Sequence, residues 1–253
     1  MIKTIDQMVF SYYVAKIIYD KREGGEIVTK DDYLFMKTWA LEGVDDERTQ
    51  KLYKRAIEAS RKNVKIVAML KVALEHMFEY DFKDNKSVSS NQVDNKNIRN
   101  ASAIKFEKLR QVNLLDHTLN VLEAILQKTE EREIYGVGQI LVACLTHDFG
   151  KAKKVRELLT PEGVSESSSR YRPHAEVSGL YVENILGEEA KRLLLTKDQN
   201  SEISMTIENI AEIVKNHHNP AKKYKNKIEM VVLADAKARE KELKKIDKEL
   251  GLE

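Results

Sequence analysis

The stretch Ile140-Leu141-Val142-Ala143-Cys144-Leu145-Thr146-His147-Asp148-Phe149-Gly150-Lys151 decides the fold. Its apolar half reads as a buried helix running from about Gly136 into the His147-Asp148 pair. Adjacent helical residues point about 100° apart, so the imidazole and the carboxylate do not share a lateral face. A metal ion at the end of the helix is within reach of both. Lys151 follows His147 by four residues and lies on the same face if the helix continues.

The neighbouring stretches are helical too. Leu114, Leu115, Leu119, Val121, Leu122, Ile125 and Leu126 fall at helical spacing, which predicts a helix over about Val112 to Thr129. Others are expected near Ala175 to Leu186, Thr206 to His218 and Lys227 to Leu250, with a polar loop from Thr160 to Arg172. The charge-rich tail from Lys237 to Glu253 reads as a solvated helix with i,i+4 pairs. Upstream, Val64 to Phe82 is helical, and Asp45 and Asp46 open a helix through Ser60. Thr29 before Asp31-Asp32 opens another, and Met1 to Tyr19 is an amphipathic helix with charges inside its apolar pattern, not a signal peptide. Lys83 to Ser102 is rich in Asn and Ser, has almost nothing to bury and reads as a flexible loop or linker. Nothing alternates as strand. The expectation is an all-α protein with an N-terminal helical region over 1–82, a linker over 83–102 and a metal-binding domain over 103–253.

Composition narrows the class. Ten glycines and 3 prolines leave turn signals sparse, which favours long helices. A formal charge of +2 does not by itself argue for nucleic acid. The single cysteine, Cys144, excludes an internal disulfide and a cysteine-rich zinc site, and its apolar neighbours make it a buried structural thiol. No stretch approaches about 18 uninterrupted apolar residues, so no membrane span is expected. A cytoplasmic, reducing setting fits.

Five of the 6 histidines are spread over different predicted helices: His117, His147, His174 and the pair His217-His218. Asp148 and Asp235 complete the set. Any single histidine of this kind is more often a core or surface residue, and a His-Asp dipeptide alone says little. The joint order is what carries chemistry. Imidazoles and carboxylates without thiolates suit iron, manganese, zinc or a similar divalent ion. Asp235 sits in an apolar helical run, where a carboxylate needs a partner that a metal would provide. The Lys151 ammonium beside such a cluster can neutralise a phosphoryl oxygen. His76 has only Glu79 and Tyr80 one turn on and is not read as a ligand.

Leu115-Asp116-His117-Thr118-Leu119, Leu145 to Lys151 and Leu233-Ala234-Asp235-Ala236-Lys237 resemble the HD-domain superfamily of metal-dependent phosphohydrolases, over about residues 104 to 240. The additional His174 and His217-His218 resemble its binuclear branches. Those include the YhaM-type 3′-5′ exoribonucleases, the HD-GYP cyclic dinucleotide phosphodiesterases and the inositol-oxygenase type. The resemblance implies that His117, His147, Asp148 and Asp235 hold one divalent ion (Fe, Mn, Zn, Ni or Mg). It implies that Asp148 bridges to a second ion held by His174 and by His217, His218 or both. A metal-activated hydroxide would then attack phosphorus, with Lys151 on a non-bridging oxygen. Two departures matter. His218 is followed by Asn219-Pro220-Ala221 and not Gly-Tyr-Pro, which argues against cyclic-di-GMP, and Asn113 one turn before His117 does not support a third metal.

Basic residues gather beside the ligand candidates: Lys151, Lys153, Lys154 and Arg156, then Arg170 and Arg172, then Lys222, Lys223, Lys225 and Lys227. Lys151, Arg170 and Arg172 are the candidates for substrate contact. Tyr171 and Tyr224 are the nearby aromatics that could stack a base. A phosphate-bearing small molecule or single-stranded nucleic acid is the expected substrate, with a protein partner or self-association assigned to the N-terminal helices. Two rivals share the residues: an HD-type di-iron oxygenase, and a metal-binding regulatory module without turnover.

Overall fold

The computed structural model of the protein describes residues 38, 40–60, 63–88, 108–131, 133–165, 168–194, 202–219 and 223–251. The helices expected at Met1 to Tyr19 and after Thr29, and residues 89–102 of the polar segment, lie outside them. Among the described residues the helices are α1 (Glu47–Ala59), α2 (Val64–Glu79), α3 (Leu114–Glu131), α4 (Val137–Thr146), α5 (Lys153–Leu159), α6 (His174–Tyr181), α7 (Gly187–Leu193), α8 (Glu202–Lys215) and α9 (Lys225–Glu249). The one β feature among them is an isolated antiparallel bridge between Lys86 and Asn113. The fold is all-α.

Helix α4 is the centre of the bundle. Every residue from Ile140 to Thr146 is buried, and α1, α2, α3, α8 and α9 all pack on it. A helix that is apolar all round must be enclosed in this way. Each fully buried Leu, Ile or Val along it stabilises the fold by about 1.5–3 kcal/mol. Gly136 precedes α4 in the left-handed region (φ +69°), a conformation that suits glycine. The consequence for the site is direct: whatever follows Thr146 begins in the middle of the molecule.

Side chains fix where the surrounding helices start. Asp46 accepts the Thr49 amide at 2.6 Å, as its place before α1 suggests. Asn63 accepts the amides of Lys65 and Ile66. Asn113 accepts the Asp116 amide at 2.7 Å, so α3 begins at Leu114, two residues later than its apolar pattern indicates. Helices α1 and α2 share one continuous apolar core with those after residue 113; Leu70 and Leu74 belong to the same cluster as Leu122 and Leu141.

The structure differs from the sequence reading in three places. Ser87 and Val88, in a stretch expected to bury almost nothing, are buried. The Ser87 amide and hydroxyl both donate to the Val112 carbonyl, and Val88 packs with Leu109 and Ile246. After α6 the chain does not stop at Leu186. A single π-helical turn (Val182–Leu186) leads straight into α7. The charged tail is not solvated all round: Ala234, Ala238, Arg239, Glu242 and Ile246 form a buried stripe, because α9 lies along α3. The four-residue spacing of Ala234, Ala238, Glu242 and Ile246 places them on one face of α9.

Candidate metal centre

Helix α4 ends at Thr146, and the backbone of Asp148 (φ −108°, ψ 7°) turns the chain into a 3-10 turn over Phe149–Lys151. The helix therefore does not carry Lys151 onto the face of His147. The turn brings it back to Asp148, with Nζ 2.7 Å from Oδ2. Gly150 lets α6 approach: its amide donates to the Ser178 hydroxyl at 2.8 Å, and a Cβ there would lie 2.2 Å from the His174 carbonyl oxygen. This contact sets His174 Nε2 3.2 Å from Asp148 Oδ1.

The expected ligands meet in two groups around one carboxylate. Donor atoms of His117, His147 and Asp148 all lie within 4.8 Å of one another, as do those of His174, His217 and His218. Asp148 Oδ2 is 3.5 Å from both His117 Nε2 and His147 Nε2, whereas its Oδ1 faces His174. Asp235 joins the first group, Oδ1 lying 3.1 Å from His117 Nε2. His218 Nε2 lies 2.8 Å from His174 Nε2, and its ring centroid is 4.0 Å from that of His217. His217 is buried while His218 is exposed at the rim.

Hydrogen bonding settles which nitrogens are available. His147 Nδ1 is 2.8 Å from the Cys144 carbonyl and His217 Nδ1 is 2.6 Å from the Val214 carbonyl. A carbonyl only accepts, so each Nδ1 carries the proton and each Nε2 presents a lone pair. His117 Nδ1 lies 2.9 Å from Glu242 Oε1. The Nε2 atoms of His117, His147 and His217 are buried with no hydrogen-bond partner. The oxygens of Asp148 and Asp235 approach His117 Nε2 without hydrogen-bond geometry. Three orphaned buried nitrogens, two of them beside carboxylates and the third among the histidines of the second group, fit divalent cations, since an unmet buried polar group is otherwise costly.

The electrostatics agree. Burial lowers the pKa of His147, His174 and His217, that of His174 to about 4, so their imidazoles are neutral at neutral pH. For His117, burial and the Arg239 charge oppose protonation, but Asp235 and Glu242 outweigh them and raise its pKa. Burial also opposes ionisation of Asp148, yet His147, the Lys151 ammonium and His174 hold its carboxyl well below the usual range. Neutral imidazoles facing ionised carboxylates make a cation-binding donor set.

Sequence reasoning missed the groups behind the cluster. Glu242 accepts from Asn120 Nδ2 at 3.0 Å and from Arg239 Nη1 at 2.7 Å. Arg239 in turn donates to Ser87, to its Oγ at 2.9 Å and its carbonyl at 2.7 Å. Lys151 donates to the same carbonyl at 3.0 Å. Glu242 was legible as one turn of helix below Ala238, but nothing in its neighbourhood marked it as facing His117 across 125 residues.

Other expected residues take different partners. Arg170 and Arg172 are exposed and ion-paired with Glu162 and Glu176. Tyr171 is covered by the Arg156 guanidinium at 4.1 Å from its ring centroid, and its hydroxyl accepts from the same group at 2.9 Å. His76 is buried, with Tyr181 OH at 2.8 Å and Glu189 Oε2 at 3.2 Å, away from the cluster's histidines in its contacts. Its acidic partner comes from α7, not from its own helix.

A family model describing the HD domain matches residues 114–249, just over half of the 253 residues. The chain belongs to the HD-domain family. The match runs from the first residue of α3 to the last of α9, and so includes Glu242 as well as the His and Asp cluster. Membership places the chain in a superfamily of metal-dependent hydrolases. No curated protein and no solved structure matches it significantly. No helix among the described residues is long and apolar enough to cross a membrane.

Proposed function

We propose that this HD domain is a phosphohydrolase, a phosphodiesterase or phosphomonoesterase acting on a nucleotide or on single-stranded nucleic acid. The observation that carries the metal reading is the approach of two buried, unpartnered Nε2 atoms, those of His117 and His147, to one oxygen of Asp148, while its other oxygen faces His174 in the second histidine group. His117, His147, Asp148 and Asp235 would hold one divalent ion. Asp148, His174, His217 and His218 would hold a second. Bound there, such ions (Fe, Mn, Zn, Ni or Mg) supply Lewis acidity that makes water nucleophilic near neutral pH and offsets charge growing on phosphoryl oxygens.

The chain's own groups do the rest. The backbone carbonyls of Cys144 and Val214 hold His147 and His217 in the tautomer that presents Nε2. Lys151 has three N–H bonds; two meet Asp148 and Ser87, and the third would meet a non-bridging phosphoryl oxygen. A half-buried, oriented ammonium of this kind stabilises developing charge without reorganising. Arg170 and Arg172, being exposed and paired, would act on an incoming phosphate through their field and by exchanging Glu162 and Glu176 for it.

The test is elemental analysis by ICP-MS of protein purified without added metal, beside His147→Ala, followed by a phosphoester panel on the wild type and Asp148→Ala. The expected result is two equivalents of metal, lost in His147→Ala, and phosphate-ester cleavage abolished in Asp148→Ala. Iron-dependent dioxygen consumption without phosphoester cleavage would replace this reading with an oxygenase. A metal-loaded protein inert in both assays would make the chain a regulatory module.

A further inference from the structure

We infer that Glu242 is a positioning residue for the metal centre, fixing His117 and strengthening Nε2 as a donor. The inference rests on the metal reading above. It makes affinity at the His117 side depend on a carboxylate that lies outside the ligand pattern.

Three observations carry it. First, Glu242 lies with Arg239 in a buried stripe of α9, between Ala238 and Ile246, and is 5 % exposed. Burying a carboxylate is unfavourable unless it is fully partnered, and replacing the whole buried Arg239–Glu242 pair by apolar residues of similar volume would stabilise the fold as well or better. Stability alone does not explain a glutamate here. Second, its partners are complete: His117 Nδ1 at 2.9 Å and Asn120 Nδ2 at 3.0 Å on one oxygen, Arg239 at 2.7 Å on the other. The Asn120 and Arg239 bonds lock the carboxylate, so the direction it imposes on the imidazole is fixed. Third, the histidines are treated differently. His147 and His217 have neutral backbone carbonyls behind them, whereas His117 has an anion. An anionic acceptor on Nδ1–H makes the opposite nitrogen a stronger electron donor.

The same network returns to the cluster. Arg239 and Lys151 share the Ser87 carbonyl, and Lys151 pairs with Asp148. Ser87 therefore links the group behind His117 to the group beside the bridging carboxylate, and it does so from the segment that joins α2 to α3.

Glu242→Gln tests this, because it keeps an acceptor for His117 and Asn120 while removing the charge. It leaves Arg239 without its anion, so Arg239→Met/Glu242→Gln serves as a second variant that removes both charges of the pair. Cobalt(II) is titrated into chelator-treated wild type and both variants, read by visible absorption and by chelator competition. Thermal unfolding of the metal-free proteins is followed in parallel. In both variants the dissociation constant of one site is expected to rise about 10–100-fold, with its absorption band shifted and the other site unchanged. Variants that bind both ions as the wild type does, whatever their melting temperature, overturn the positioning role. A wild type that binds no cobalt overturns the metal reading itself, a result distinguishable from the first.

Discussion

Gly150 and His174 are in close backbone contact: a methyl carbon on Gly150 would lie 2.2 Å from the His174 carbonyl oxygen and 2.9 Å from the Ser178 amide nitrogen. The absence of a side chain at Gly150 is thus what brings α6, and with it His174, up to Asp148. Gly150→Ala must push α6 away. A loss of about 1–3 kcal/mol in stability is expected from the overpacking. The same displacement should remove one of two metal equivalents. Denaturant unfolding and ICP-MS on the variant check this; unchanged metal content would show that the approach of α6 is not needed.

Lys151 lies beside Asp148 but is not a metal ligand, so its loss should separate binding from chemistry. Lys151→Met is expected to retain its metal and to lose about 10²–10³-fold in kcat, the range typical of removing one preorganised charge donor. Steady-state kinetics on the best phosphoester, with metal content measured on the same sample, decide it. A fall in metal content equal to the fall in rate would make Lys151 a support for Asp148 only.

Cys144 is fully buried in α4, and burial, with the Asp235 charge adding to it, pushes its thiol up. It should be inert in the native state. Ellman's reagent is expected to label it only at the rate of global unfolding, and to label it at once in denaturant. Rapid labelling of the native protein would place the thiol at an opening of the bundle.

Protonation should destabilise the metal-free protein in mild acid. His147, His174 and His217 have folded pKa values below the ordinary 6.5, that of His174 about 4. Above that ordinary value both states are neutral and these groups contribute nothing. As the pH falls through the window towards 4, the unfolded chain takes up protons that the folded chain does not, so stability falls. For His174 this amounts to roughly 3 kcal/mol, by the conversion of about 1.4 kcal/mol per pKa unit. His117, whose pKa is raised, acts in the opposite direction. Melting temperatures of chelator-treated wild type and His174→Gln across that window provide the check. The variant should show the shallower decline; parallel curves would contradict the prediction.

Much of this was legible in the residues. The all-apolar α4 announced itself in Ile140 to Leu145, and the order His117, His147-Asp148, His174, His217-His218, Asp235 named the members of the cluster before any geometry. The side chains that close the site were not. Lys151 was legible as a neighbour, but its partner depended on whether the helix continued past Thr146. The chain turned into a 3-10 turn there, and the lysine went to Asp148 instead of sharing the face of His147. Arg170 and Arg172 read as substrate contacts from their position before His174, and they are paired at the surface with Glu162 and Glu176.

The division has a physical basis. Hydrophobic periodicity is local, so the sequence by itself determined the helices, the central place of α4 and the residue types gathered at its end. Pairing across the bundle is not local. That Glu242 lies behind His117, that Ser87 ties Arg239 to Lys151, and that one oxygen of Asp148 faces each histidine group all depend on how α9, α6 and the segment before α3 pack against one another. Spacing along a chain carries no signal of such contacts, and only the tertiary structure decided them.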